Sequence, residues 1–191
     1  MSLPPVIGIC GYKRSGKNEV ARILTERYGY VQRNFADPLK AMALAIDPVI
    51  EYDGLNETLH IRLADLVECD GWETAKEIPD VRRFLQRLGT EGVRQHLGID
   101  AWVAAWRNGV AREWARDETR RIVASDVRFL NEAQAIRAAG GQVWRIGRPG
   151  TTSDGHASET EFDDIVPDRI IWNDDTLDIL AGRVSEQLEA R

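Results

Sequence analysis

Five short apolar runs punctuate the chain, at 6–10, 30–35, 122–125, 142–146 and 169–172, and each is too brief for a helix. They read as buried strands of a parallel sheet. Between them apolar residues return every three or four positions. Val20, Ile23, Leu24 and Tyr28 mark one helix, and Val81, Phe84, Leu85, Leu88 and Val93 mark another, closed by Gly98. Trp102, Trp106 and Val110 form a stripe on a third, which reads as core. Strand and helix in alternation predict right-handed βαβ units, hence an α/β fold with helices flanking the sheet.

The stretch 37–117 holds no convincing strand and reads as helical throughout. It opens at Asp37-Pro38, taken as N-cap and first helical residue. Within it 47–79 is acidic, has turn signals at Asp53-Gly54 and Asp70-Gly71, and reads as a helical insertion. Asn131 is read as the cap of a helix ending at Gly140-Gly141, and a last helix runs from Thr176 onward. The polar loop from 148 to 161 has the composition of a lid. The whole, 1–191, reads as one domain.

The chemistry starts at Gly11-Tyr12-Lys13-Arg14-Ser15-Gly16-Lys17, a G-x-x-x-x-G-K spacing between the first strand and the first helix. That context is what a phosphate-binding loop requires. Glycines let amides wrap an anion, the helix N-terminus adds its dipole, and Lys17 brings a full charge to the terminal phosphates. Lys13 and Arg14 add cations. Residue 18 is Asn, where a magnesium-ligating hydroxyl is usual; an amide oxygen also ligates hard cations.

Ligands of open parallel sheets bind beyond the carboxyl ends of the strands. The second run ends at Phe35-Ala36-Asp37-Pro38-Leu39-Lys40, the third at Asp126-Val127-Arg128, the fourth near Arg145 and Arg148. Asp126 has the placement of a carboxylate that holds magnesium through water, or of a cap. Arg128, Arg145 and Arg148 offer cations to a transferring phosphoryl group, Arg128 being best placed. Gln86, Thr90 and Arg94 recur every four residues and share a face suited to a base edge and a phosphate, or simply to solvent. His156 reads as a loop hydrogen-bonder.

Composition narrows the partners. The chain has 191 residues, 43% hydrophobic and 29% charged, and a net charge of −6. That acidity argues against non-specific binding to nucleic acid or anionic membrane, so an anion site must be built locally. The two cysteines, Cys10 and Cys69, have neither metal nor disulfide-framework spacing, and no signal peptide or bilayer-length apolar run is apparent. The expectation is a cytoplasmic protein.

Ordered together, these segments resemble a family. Lys13-Arg14-Ser15-Gly16-Lys17 with a following amide, Phe35 to Lys40, Leu85-Gln86 with Gly89-Thr90-Glu91, Asp100-Ala101-Trp102, and Ser125-Asp126-Val127-Arg128-Phe129 with Asn131-Glu132 are similar to the deoxynucleoside monophosphate kinases of bacteriophages. His156-Ala157-Ser158-Glu159 and Ile170-Ile171-Trp172-Asn173 also look like that family. The resemblance implies the P-loop nucleoside monophosphate kinase fold, with a five-stranded parallel core, a helical acceptor-binding region and a lid. It implies ATP with magnesium as donor, a deoxynucleoside monophosphate as acceptor, host-cytoplasmic location and a leaning towards homodimers. Lys17, Arg128 and Asp126 then carry catalysis, with Asp126 and Asn18 toward the metal. Gly11, Lys13, Arg14, Ser15, Gly16, Lys17, Asn18, Arg148 and Asn173 bind ATP, with Asn173 near the adenine. Phe35, Asp37, Lys40, Gln86, Thr90, Glu91, Arg94 and Trp102 bind the acceptor. Phosphomevalonate kinases share the loop and dephospho-coenzyme A kinases share the fold; a non-catalytic nucleotide switch needs only the one nucleotide site.

Overall fold

The computed structural model describes residues 3–53, 57–151 and 161–190. The five apolar runs form strands β1 (Val6–Cys10), β2 (Tyr30–Gln32), β5 (Arg121–Ala124), β6 (Gln142–Gly147) and β7 (Arg169–Trp172). They pair in parallel in the order β2-β5-β1-β6-β7, so β1 sits at the centre. Registers such as Ile7 opposite both Val123 and Gln142 align the strands so that their carboxyl ends share one edge. With all strands parallel, every connection must cross over, which explains the intervening helices.

The chain divides into two compact units, Ala36–Trp102 and the remainder. In the sheet unit, alternate residues of β1 serve opposite faces. Val6 and Cys10 join Ile122, Ala124 and Val143 beneath α6 (Ala101–Arg116) and α7 (Leu130–Ala138), through Val103, Trp106, Val110, Ala133 and Ile136. Ile7 and Ile9 join Val123, Trp144, Ile146 and Ile171 beneath α1 (Lys17–Tyr28) and the last helix, α8 (Leu177–Glu189), through Val20, Leu24, Leu180 and Val184. The sheet is thus covered on both sides, and the expected α/β architecture with a five-stranded parallel sheet and flanking helices is what the chain adopts.

The second unit contains α2 (Asp37–Ile46), a hairpin of β3 (Val49–Asp53) and β4 (Thr58–Arg62), α3 (Leu63–Ala75), α4 (Pro79–Gln86) and α5 (Gln95–Leu97). Its core is a small cluster of Ala43, Ile50, Leu63, Leu66, Ala75 and Val81. The hairpin corrects the expectation of helix throughout. Ile50 lies opposite Ile61 and Tyr52 opposite Leu59, so its apolar residues alternate onto one face, the period of a half-buried strand. The helical path is broken inside α3 at Gly71, whose φ is 76°. Residues 103–116, expected to belong with this region, pack in the sheet unit instead.

Two expected caps also move. Ala36, not Asp37, is the N-cap of α2, with Asp37 and Pro38 in its first turn. At α7 the cap is built around Phe129 and Glu132 rather than Asn131. The buried Glu132 carboxylate accepts the amides of Arg128 (2.7 Å) and Phe129 (3.2 Å), satisfying donors that a helix start leaves unpaired.

Candidate active site

At the carboxyl end of β1 the chain turns tightly into α1. Gly11 has φ 143°, and a Cβ there would lie 2.5 Å from the Ile146 carbonyl oxygen and 2.9 Å from Ser15 Oγ. Only glycine permits that approach. Arg14 is held at φ 64°, a left-handed conformation that costs a non-glycine residue about 1–3 kcal/mol. Gly16, at φ 104°, is the N-cap of the twelve-residue α1. The amide of Ser15 donates to the Tyr12 carbonyl (3.2 Å), closing the turn. Lys17 Nζ donates to the carbonyls of Gly11 (2.8 Å) and Tyr12 (2.7 Å), so the ammonium lies over the loop. Lys13 and Arg14 are exposed, while Ser15 is wholly buried, its Oγ without a hydrogen-bond partner among the described residues. Burial pushes the Cys10 thiol up, which keeps it neutral and unreactive at the end of β1.

The ends of β2 and β5 are stapled reciprocally. Asn34 Oδ1 accepts the Ser125 amide (2.9 Å), and Asp126 Oδ1 accepts the Phe35 amide (3.0 Å). One oxygen of Asp126 therefore orients the strand ends. The Glu132 cap fixes the backbone from which the exposed Arg128 projects. Phe35 is buried and stacks on Trp106 with ring centroids 4.6 Å apart, so its ring belongs to the core rather than to a surface a ligand can touch.

Arg145 is taken out of the candidate cations. Its Nη2 donates to the carbonyls of Ile165 (2.7 Å) and Asp163 (3.4 Å), anchoring the segment that follows the loop from 148. Tyr12 OH reaches the same segment, donating to Asp163 Oδ2 at 3.0 Å, so the phosphate loop is tied to it directly. Arg148 lines a hollow of about 220 Å³ with Pro149, Asn173, Asp174 and Asp175. The Asn173 amide turns inward and donates to the Ser15 carbonyl (2.9 Å). Residues 152–160, which include His156 and most of the expected lid, lie outside the described residues.

In the second unit the polar face is carried by a continuous helical run, 79–97. Its middle, Arg87–Arg94, is π-helical, a widened geometry that recurs at functional sites. Gln86, Thr90 and Glu91 are exposed along it and Arg94 is half-buried. Glu91 pairs with Arg87 at 3.5 Å. The buried Trp102 donates its indole N–H to the Gly89 carbonyl (3.0 Å), which makes it a brace for this run rather than a stacking face. Lys40 lies 5.6 Å above the Trp72 ring, and Asp37 begins α2.

The expected magnesium can be tested against these donors. Among the described residues no group of three His, Cys, Asp or Glu side chains is placed to hold a metal. Asp126 and the exposed Asn18 offer only hard oxygen donors. So sparse a set fits a magnesium ion that keeps most of its waters and arrives with a polyphosphate.

With this geometry in hand, three comparisons bear on identity. The family model for deoxynucleotide monophosphate kinase matches residues 51–184. That span begins beyond the phosphate loop, so loop and family match are separate observations. A protein of Acanthamoeba polyphaga mimivirus named "Putative deoxynucleotide monophosphate kinase" is 33% identical over 191 aligned residues, covering 91% of this chain and 90% of that protein. A crystal structure of TT1252 from Thermus thermophilus aligns with TM-score 0.53 and 18% identity over 99% of this chain and 98% of its own, a likeness of fold. No helix among the described residues is long and apolar enough to cross a membrane. By the extent of the family match and of the viral relative, this chain belongs to the deoxynucleotide monophosphate kinase family.

Proposed function

We propose that this protein transfers the γ-phosphoryl group of ATP to a deoxynucleoside monophosphate, giving a deoxynucleoside diphosphate and ADP. The observation that carries the reading is the phosphate loop itself, with Gly11 and Gly16 in glycine-only geometry and Lys17 Nζ poised over it. A polar helical face in a separate unit supplies the second, acceptor-binding function that a simple nucleotide switch does not need.

The acceptor phosphate is already largely ionised near neutral pH, so no strong general base is required. One of its oxygens attacks the γ-phosphorus as the bond to the bridging oxygen breaks, and the electron pair leaves with ADP. The loop amides and Lys17 stabilise charge gathering on the β- and γ-phosphoryl oxygens. Lys13 and Arg14 add positive potential, and Arg148 is assigned to the donor side. Arg128 offsets repulsion between the two anionic substrates. Asp37, Lys40, Gln86, Thr90, Glu91 and Arg94 receive the acceptor. Asp126, with Asn18, would hold magnesium chiefly through water, and the ion supplies charge neutralisation of the polyphosphate.

The test is a panel: magnesium-ATP with each ribo- and deoxyribonucleoside monophosphate, phosphomevalonate and dephospho-coenzyme A, following ADP release. Release driven by deoxynucleoside monophosphates is expected. Release driven only by one of the last two acceptors, or none at all despite tight ATP binding, overturns the assignment.

A further inference from the structure

Asn173 stands out at the end of β7. Its neighbours Trp172 and Asp174 are exposed, yet Asn173 is 8% exposed. Its backbone amide donates to the Gly147 carbonyl (2.7 Å), extending the β6–β7 ladder by one bond and fixing where the side chain begins. From there Nδ2 reaches across to the Ser15 carbonyl at 2.9 Å. The amide lies so close to the loop that a Cβ on Gly16 would sit 2.3 Å from Nδ2. The second glycine of the phosphate-loop motif is therefore required twice, by its φ of 104° and by the approach of Asn173.

A trans peptide is planar, and its C=O and the following N–H point in opposite directions. A bond that fixes the Ser15 carbonyl thus also aims the Gly16 N–H the opposite way. We propose that Asn173 is a positioning residue for the phosphate loop: by holding the Ser15 carbonyl it turns the Gly16 amide toward the donor phosphates. This assigns Asn173 to the triphosphate through Ser15 and Gly16 rather than to the base. Without the bond the peptide can rotate and present its carbonyl oxygen to a polyanion. The inference rests on the reading of the loop as a nucleotide site.

Asn173→Ala, compared with the native protein by calorimetric titration, separates the possibilities. Magnesium-ATP and magnesium-tripolyphosphate should both bind about tenfold more weakly to the variant, by the same factor, since a buried hydrogen bond to the loop is lost. Loss confined to ATP, with tripolyphosphate unaffected, would make Asn173 a base contact and overturn the proposal, as would undiminished binding of both. Asn173→Asp gives an independent readout at nearly constant shape. Its carboxylate, ionised at neutral pH, accepts hydrogen bonds but donates none, so it repels the Ser15 carbonyl. Both ligands should therefore bind this variant at least as weakly as they bind Asn173→Ala; native-like binding of either contradicts the inference. Failure of the native protein to bind either ligand would instead remove the nucleotide-site reading on which the inference rests.

Discussion

The two units differ in how their residues are withdrawn from water. The sheet unit is covered on both faces, and Ile7, Ile122, Trp144 and Ile146 are wholly or almost wholly buried. The unit Ala36–Trp102 gathers one small cluster, interrupts α3 at Gly71 and sets a π-helical turn in the middle of its longest helical run. Since stabilisation scales with apolar area buried, at about 25 cal/mol per Å², the second unit opens locally at lower free energy. The contrast suits the division of labour proposed. A loop that presents amides to a triphosphate works by being preorganised, whereas elements that admit and release a second substrate come from the less stable end of a structure.

The sharpest break is chemical. Lys17→Met removes the cation over the loop without touching either core, so kcat should fall on the order of 10²–10³-fold in a variant that still folds. Near-normal turnover in the folded variant would take Lys17 out of the chemistry. The next test is of packing. Leu63→Ala should lower hydrogen-exchange protection across 36–102 by about 2–5 kcal/mol while β1 and β5 keep theirs. Equal losses in both units would erase the distinction between them.

A smaller effect probes the acceptor face. Arg94→Ala or Gln86→Ala should raise the acceptor KM about tenfold, roughly 1.4 kcal/mol, with little change in the KM for ATP. Equal changes in both constants would detach this face from the acceptor. The smallest concerns acid. Asp80 accepts the Glu51 amide and pairs with Arg83, and these partners, the Glu51 amide foremost, hold its carboxyl below the usual range. A depressed native pKa contributes stability that is present above the unfolded value of about 4 and lost as pH falls through the native one. Asp80→Asn should remove that acid-sensitive part, less than about 1 kcal/mol for so accessible a pair, from melting curves taken between about pH 2 and 5.

The sheet was legible because its central strands are short, largely apolar runs, β1 with all five residues buried and β5 with three of four. The phosphate loop was legible because Gly11 and Gly16 leave no substitute at their φ. The hairpin β3–β4 was obscured although its signal is present. Its apolar residues alternate and Asp53-Gly54 marks a turn, but most of its side chains remain exposed and the stretch lies among helices. The π-helical turn has no distinctive composition beyond Gly89 and Gly92. Asn34, the cap role of Glu132 and the Tyr12–Asp163 bond escaped notice because their meaning lies in partners distant in sequence or in caps shifted by a residue. Asn34, polar and at the carboxyl end of a strand, was the one open to discovery by the same rule that picks out Asp126.

The central claim is direct transfer between two nucleotides, and γ-labelled ATP tests it most plainly. Incubated with magnesium, a deoxynucleoside monophosphate and the protein, the label should pass to the acceptor as the β-phosphate of a deoxynucleoside diphosphate, and Lys17→Met should slow that transfer on the order of 10²–10³-fold. Label appearing only as inorganic phosphate, or remaining in ATP whatever deoxynucleotide is supplied, would contradict it.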